Sequence, residues 1–114
     1  MIDSYAFGAI IINHKKYTSD VIISLPKIFD DWWRNRGHEV CIEDLNKYID
    51  EFNPDIVVVG TGKFGLLKVL AETKTYLKEN NIRLIEERTS KAVKTLNTLQ
   101  SENEHVMGAL HLTC

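Results

Sequence analysis

A glycine-rich run is the segment whose spacing suggests chemistry most directly. Gly60, Gly62 and Gly65 have the G-x-G-x-x-G spacing, and they follow the apolar stretch 56–59, which is typical of a strand buried on both faces. With a helix expected to begin directly after the run, the turn would present free backbone N–H groups and the positive end of a helix dipole to a phosphate. The candidate ligand-binding residues are Gly60, Thr61, Gly62, Lys63, Thr89 and Asn97.

Three interpretations of this turn remain open. A dinucleotide would find an acidic residue for its ribose at Glu86 or Glu87, about 20 residues further on. A smaller anion or polar ligand could use the turn and Lys63. A purely structural turn is favoured, because the run comes late in a chain of only 114 residues, which leaves about half of a dinucleotide-binding fold.

Two histidine and cysteine pairs share the spacing H-x-x-C, namely His38 with Cys41 and His111 with Cys114. If the pairs met in space, they would supply two nitrogen and two sulfur ligands, a set that zinc accepts. The second pair is expected at the end of a strand, where neighbouring side chains point to opposite faces. We therefore expect no metal site and no cofactor.

Cys41 is a candidate nucleophile, because a thiolate is stabilised at the start of a helix. Glu43 and Asp44 would oppose that effect by like charge. No Ser, His and Asp arrangement with recognisable spacing supports acyl transfer. The sequence therefore indicates no catalytic residue and favours a non-enzymatic role.

Trp32, Trp33 and Arg34 form the densest group of residue types that are enriched at protein interfaces. They predict a surface for a protein partner, with a homodimer as one form of it. The alternative is that one tryptophan fills the core while the other lies across the edge of the sheet.

The N-terminal elements read as β-structure. Residues 5–12 predict one strand with Gly8 as a bulge, residues 13–16 a polar turn, and Tyr17 with residues 21–23 a second strand, which together make an antiparallel pair. Residues 27–36 fit a helix or an extended segment equally well.

The remaining elements alternate between helix and strand. Helices are predicted around Ile42–Phe52 and Leu66–Leu77 and from Thr89, which is expected to be the N-cap. Strands are predicted at 56–59, 82–85 and 105–112. This alternation predicts an α/β fold with a largely parallel sheet.

Length and composition bound the class of protein. A chain of 114 residues fits one domain, residues 1–114, and its net charge of −2 offers no electrostatic footprint for nucleic acid. The N-terminus lacks a secretory or transit signal, and no apolar run approaches the roughly 20 residues that cross a bilayer. We expect a cytoplasmic protein that binds neither nucleic acid nor membrane.

Several segments together resemble the Mth-type family of small domains of unknown function. They are Tyr5–Gly8, Trp33-Arg34 followed by Gly37-His38, Val57–Gly62, Thr89 with Ala92 and Asn97, and Ala109–Cys114. The resemblance spans nearly the whole chain. It implies a three-layer α/β fold with a mixed central sheet, a Gly-Thr-Gly turn as a hallmark, and a shared cleft that Thr61 and Asn97 both face.

The family resemblance also bears on function. Its members include a mitochondrial complex I assembly factor, which acts through protein partners, and an adipogenesis-associated protein of the cytosol. By analogy, we expect a protein-interaction or assembly-factor-like role. The alternative is a small-ligand binder or enzyme that uses the Gly60–Gly65 turn.

Overall fold

The computed structural model describes residues 1–114, which form ten strands and three α-helices, with a 3₁₀ turn at Ile42–Asp44. The strands are β1 (Ile2–Ala6), β2 (Ala9–Ile12), β3 (Lys15–Tyr17), β4 (Val21–Ser24), β5 (Lys27–Phe29), β6 (Glu39–Val40), β7 (Ile56–Thr61), β8 (Lys68–Val69), β9 (Arg83–Glu87) and β10 (Val106–His111). The helices are α1 (Asn46–Phe52), α2 (Ala71–Glu79) and α3 (Thr89–Ser101).

The central sheet is mixed and has the strand order β5-β4-β10-β7-β9. β7 pairs in parallel with both β9 and β10, whereas β4 pairs antiparallel with β10 and with β5. The α/β class and the mixed sheet are confirmed. The sheet is less parallel than the sequence predicted, because β4, read as part of an N-terminal pair, joins the central sheet beside β10.

The N-terminal strands form a three-stranded antiparallel sheet of order β1-β2-β3. The predicted turn over residues 13–16 is confirmed at Asn13 and His14, whose φ values of 50° and 69° are those of a type I′ hairpin turn, whereas Lys15 and Lys16 belong to β3. The prediction of one strand over residues 5–12 was wrong. Gly8, with φ of 78°, belongs to a turn that folds β2 back onto β1.

The segment left open by the sequence, residues 27–36, contains strand β5 and then irregular chain, without a helix. The predicted helix after it is confirmed as the 3₁₀ turn and α1. It ends at Asn53, which takes the left-handed conformation before Pro54, where a helix cannot continue.

The segment after the glycine-rich run is extended rather than helical, so the expected helix start at Leu66 was wrong. Side-chain exposure alternates from Leu66 to Val69, and Lys68–Val69 form β8, which pairs in parallel with β6. Such alternation is the period of a strand. α2 begins only at Ala71, so the expected helix does not follow the glycines directly. The helix N-terminus that adjoins them is that of α3, because the Thr89 amide donates a 3.2 Å hydrogen bond to the Gly62 carbonyl.

Two apolar cores of 13 buried residues each bury the central sheet on both faces. In the first, Val58 packs with Leu96 of α3 and Ile10 of the N-terminal sheet. In the second, Val57 packs with residues of α1 and α2. Alternate residues of β7 thus serve opposite faces. None of the helices has the length and hydropathy to span a bilayer.

Candidate functional site

The sequence-predicted residues meet at one end of the central sheet. The parallel strands β7, β9 and β10 end there at Thr61, Glu87 and His111. The β1–β2 turn reaches the same end, because the Gly8 amide donates a 2.9 Å hydrogen bond to the carbonyl of Leu112. This end is the part of the fold that sequence reasoning singled out.

Two backbone donors of the glycine-rich run, which we call the glycine loop (Gly60–Gly65), are engaged inside the protein. The Gly62 amide donates to Thr89 Oγ1 at 2.9 Å, and the Lys63 amide donates to the Thr113 carbonyl at 2.7 Å. Just beyond the loop, the Leu66 amide donates to the Cys114 carbonyl at 3.1 Å. These three amides are therefore not free to bind a phosphate, although the N-terminus of α3 adjoins the loop.

Close backbone packing accounts for the glycines. Gly62 has φ of 96°, and a Cβ built there would lie 2.5 Å from the carbonyl oxygen of Cys114. A Cβ at Gly60 would lie 2.9 Å from Thr89 Oγ1. Both distances are shorter than van der Waals contact, so the chain segments can meet only at glycine. The geometry favours the structural reading of the turn.

Three of the remaining predicted ligand-binding residues do not present free groups to a shared cleft. The buried Thr61 hydroxyl donates to the Glu87 carbonyl at 3.1 Å. Thr89, which follows the cap residue Arg88 rather than being the N-cap, donates to the His111 carbonyl at 2.6 Å. Asn97 lies roughly 12 Å further along α3. Its amide pairs with both backbone groups of Ile2.

Asp20, Arg34 and His111 form a partly buried polar group beside the glycine loop, which we call the Asp20 cluster. Asp20 Oδ2 lies 2.8 Å from both Arg34 Nη1 and His111 Nδ1, and Asp20 Oδ1 accepts a 2.8 Å bond from the Leu112 amide. The side chains of Arg34 and His111 are only 6% and 7% exposed. The cluster joins the start of β4 to the end of β10.

The Asp20 carboxylate is held ionised by these contacts. Burial works against its ionisation, but the hydrogen bonds from His111, the Leu112 amide and Arg34 outweigh burial and lower the pKa of the carboxyl below its usual range. The pKa of the neighbouring Tyr5 phenol is shifted in the opposite direction. Burial first, and then the charge of Asp20, raise its pKa, so it stays a neutral donor to the Leu112 carbonyl at 2.9 Å.

His111 has one ring nitrogen without a partner. Nδ1 lies 2.8 Å from Asp20 Oδ2 and 3.2 Å from Arg34 Nη2. Nε2 is buried and makes no hydrogen bond. The ring of His38 stands 6.0 Å away from the His111 ring, at an interplanar angle of 80°.

The three candidate interface residues separate in the structure. Trp32 is 3% exposed, and its indole N–H donates to the Asp44 carbonyl. The Arg34 guanidinium lies over the Trp32 ring, 4.6 Å from the ring centre. Arg34 is committed to the Asp20 cluster. Trp33 is 75% exposed. Trp32 and Arg34 are thus removed from any contact surface by burial, and Trp33 alone remains on one.

The cysteines do not join the histidines in a common centre. The Cys41 thiol donates to Asp44 Oδ2 at 3.2 Å, and burial, followed by that acidic neighbour, raises its pKa. A thiol with a raised pKa is a poor nucleophile. No group of three or more His, Cys, Asp or Glu side chains in the chain is placed to hold a metal ion.

An exposed apolar patch lies at the same end of the sheet, and we define it as Phe7, Phe64 and Leu66. Their side chains are 51%, 57% and 50% exposed, and the rings of Phe7 and Phe64 lie 6.4 Å apart. The glycine loop carries Phe64, and the β1–β2 turn carries Phe7. These two turns thus place the two aromatic rings side by side at the protein surface.

Sequence reasoning missed Asp20 and the apolar patch. Asp20 contacts His111 although 91 positions separate them in the sequence, and no local pattern predicts a contact between such distant residues. Phe7 was placed inside a continuous strand, where it would have been half-buried. A two-residue turn at Phe7-Gly8 would have been the signal for its exposure.

A protein-family model described as "Protein of unknown function (DUF498/DUF598)" matches residues 2–111 of the chain. The chain is also similar to a conserved hypothetical protein from Pyrococcus horikoshii, with 28% identity, a TM-score of 0.84, and 100% and 99% of the two chains covered.

Two further solved structures share the fold. One is described as an outer membrane protein from Bartonella henselae (24% identity, TM-score 0.84, 99% of this chain and 94% of that one covered). The other is described as a Mth938-like domain from Bordetella pertussis (18% identity, TM-score 0.80, 98% and 85% covered). The resemblance to Mth-type domains is thereby confirmed.

Proposed function

Because the chain belongs to the DUF498/DUF598 family of proteins of unknown function, we propose its role from its own surface: it is a protein-interaction domain that binds an apolar, acidic segment of a partner. The observation that carries the proposal is the apolar patch. The rings of Phe7 and Phe64 lie 6.4 Å apart, Leu66 follows two residues after Phe64, and each of the three side chains is about half-exposed. Large exposed apolar groups that are grouped in this way mark contact surfaces.

The charges around the patch favour an acidic partner. Lys63 precedes Phe64 directly, and the Arg88 side chain passes beside Gly65, where a Cβ would lie 3.5 Å from it. Both residues are exposed, and neither forms an ion pair within the chain. Carboxylates of a partner would complement these two positive charges and set its orientation on the patch.

The alternative of a small-ligand site at the glycine loop has less support. The amides of Gly62, Lys63 and Leu66 already donate to protein acceptors, so a ligand would have to break existing hydrogen bonds to bind them. The loop is better suited to hold Phe64 and Leu66 in fixed positions. A rigid platform lowers the entropic cost of binding a protein segment.

An assembly-factor-like role is the form of protein binding that we propose. A domain that binds an exposed apolar segment of another protein shields that segment from water until the other protein buries it on assembly with its own partners. A second copy of this chain is a further occupant that the same patch would accept, and the experiment below separates the two.

Peptide-display selection against the chain tests the proposal. We expect the selected peptides to carry large apolar side chains beside Asp or Glu. The double variant F7S/F64S should bind them at least tenfold more weakly, because aromatic anchors dominate such interfaces. The exposed Trp33, which lies outside the patch, provides the matched control W33S, and that variant should bind like the original chain.

Three results would count against the proposal. They are selection of basic peptides, equal binding by F7S/F64S, and loss of binding only in W33S. Sedimentation of the free chain identifies self-association. If the chain forms a dimer that F7S/F64S dissolves, the occupant of the patch is a second copy rather than a different partner.

A further inference from the structure

We propose that the chain forms a homodimer in which β9 of one copy pairs antiparallel with β9 of a second copy, so that the two central sheets become one. β9 is an edge strand of the central sheet and pairs with β7 alone. This interface is separate from the apolar patch and does not depend on the proposed protein binding. It also differs from the homodimer surface that the sequence predicted at Trp32, Trp33 and Arg34, where two of the three side chains are buried.

The free backbone groups of β9 are the first observation. The Arg83 amide donates a 2.9 Å hydrogen bond to the Asp55 carbonyl, on the side of β7. Because backbone groups alternate between the two sides of a strand, every second residue from Arg83 faces β7, and the backbone groups of Leu84 and Glu86 face away from it. Neither the loops nor the neighbouring side chains hydrogen-bond to these groups. The edge therefore offers two N–H and two C=O groups.

The other edges of the two larger sheets are protected against pairing, whereas β9 is not. Lysines on an edge strand, or side chains that cap its backbone, discourage pairing with another chain. β3 carries Lys15 and Lys16, and β5 carries Lys27. On β1 the Asn97 side chain bonds to both backbone groups of Ile2. β9 contains neither lysine nor proline, and no side chain caps its outer groups.

One antiparallel register uses all of the free groups. With a twofold axis at Ile85, Leu84 of each copy lies opposite Glu86 of the other copy, and the two pairs exchange four hydrogen bonds. The two Ile85 residues then occupy the close, non-hydrogen-bonded position. An axis at Leu84 would place Glu86 opposite Ile82, whose amide already bonds to the Leu77 carbonyl at 2.9 Å. An axis at Glu86 would place two carboxylates opposite each other, which is unfavourable.

The charges of β9 are complementary in the same register. Arg83 lies opposite Glu87 of the second copy at both ends of the paired strands, and opposite charges at facing positions stabilise a sheet. Arg83 is exposed and has no ion pair within its own chain. Glu87 also contacts Lys91 of its own chain at 3.4 Å, and Lys74 offsets the charge of Glu86 at 3.2 Å.

Apolar side chains at the edge would gain cover from a second copy. Ile85 packs against the core on the α3 side of the sheet, and Leu84 against the core on the α2 side, yet each is only partly buried in a single chain. α3 itself lies mainly over β7 and β10. A strand paired with β9 would therefore remove apolar surface from water on both faces, which favours association.

Sedimentation equilibrium of the chain from micromolar to millimolar concentration tests the proposal. We expect a monomer–dimer equilibrium. The variant R83E brings like charges together at both ends of the paired strands and should weaken the dimer at least tenfold. Because Arg83 is exposed and unpaired, the melting temperature of the R83E monomer should stay near that of the original chain. Lys16 is exposed on β3, so K16E makes the same change of charge elsewhere and is the matched control, which should dimerise normally.

Hydrogen exchange identifies the paired strand independently. The amides of Leu84 and Glu86 should exchange rapidly in the monomer and become protected as the concentration rises, whereas the Ile85 amide, which faces β7, should be protected throughout. The variant F7S/F64S should dimerise like the original chain. A chain that stays monomeric at millimolar concentration would overturn the proposal. So would a dimer that F7S/F64S dissolves, one that R83E leaves at full strength, or one in which the Leu84 and Glu86 amides stay unprotected.

Discussion

At Gly62 the absence of a side chain allows the glycine loop to close against the C-terminal residues. The residue combines φ of 96° with a carbonyl oxygen of Cys114 at 2.5 Å from where a Cβ would be. We predict that Gly62→Ala lowers the free energy of unfolding by about 3 kcal/mol, through backbone strain and overpacking together. Urea unfolding measures the loss.

Gly37 supplies the control for that substitution. A Cβ at Gly37 would meet nothing within 4 Å, and its φ is not positive. Gly37→Ala should therefore change the stability by less than about 0.5 kcal/mol. Equal stability of the two variants would show that the loop does not pack as tightly as described.

Asp20 makes the stability of the chain depend on pH. Its carboxyl has a lowered pKa in the folded chain, so its contribution is complete above the unfolded value of about 3.9 and is lost as the pH falls through the folded pKa. We predict that Asp20→Asn costs about 3 kcal/mol near pH 7, because it removes the negative charge beside the buried Arg34 and replaces one of the two acceptor oxygens by an amide donor.

The prediction is tested by how the stability difference between Asp20→Asn and the original chain changes with pH. Unfolding curves between neutral pH and about pH 2.5 should show the gap between Asp20→Asn and the original chain narrowing in acid, below the usual carboxyl pKa. Asp50 is exposed and unpaired, so Asp50→Asn should not alter the profile. A gap of constant size across this range would contradict the role given to the Asp20 carboxylate.

Residue identities at this end of the sheet were partly predictable. The sequence indicated Gly62 and Thr89 as neighbours of one turn, and they do hydrogen-bond to each other. It could not indicate that the amides of Lys63 and Leu66 are bonded internally, since their acceptors, the carbonyls of Thr113 and Cys114, lie about 50 residues further along the chain. Long-range pairing of this kind has no local sequence pattern.

At the scale of elements, α3 holds the N-terminal sheet in place. The Asn97 side chain donates to the Ile2 carbonyl at 2.8 Å and accepts from the Ile2 amide at 2.9 Å, which mimics a strand partner for β1. The same residue was expected in a cleft with Thr61. Asn97 instead pairs with the backbone of β1, which is a structural role.

We predict that Asn97→Ala loosens β1. Two backbone groups of Ile2 lose their partner, and the cost should be about 1 to 3 kcal/mol. Hydrogen exchange should quicken at the amides of β1 and β2 and should change little in the central sheet. Thr98→Ala, at the next and exposed position of α3, serves as control. Uniform acceleration throughout the chain would instead indicate global destabilisation.

The elements with strong periodicity were predictable, and the short ones were not. β7, α3 and β10 were recognised because apolar spacing and burial agree along their whole length. The helix predicted from Leu66 was wrong, because the apolar spacing of the segment 66–69 also fits a short strand. Tertiary pairing with β6 decided the outcome there.

At the scale of the whole molecule, both faces of the central sheet are occupied, so its end and the open edge of β9 are left as the places for contacts. One face packs on α3 and the N-terminal sheet, and the other on α1 and α2. The net charge is −2, yet the apolar patch is bordered by the unpaired Lys63 and Arg88. In the proposed function, this local positive charge rather than the net charge of the chain selects an acidic partner.

Mapping a bound peptide onto the chain tests this account most directly. In a ¹H–¹⁵N titration with an acidic, apolar peptide from the display selection, amide shifts should concentrate at residues 7–8, 63–66 and 88. The amide of Trp33 should stay unchanged. Shifts centred on Trp33, or none that saturate, would contradict the assignment of the patch as the protein-binding surface.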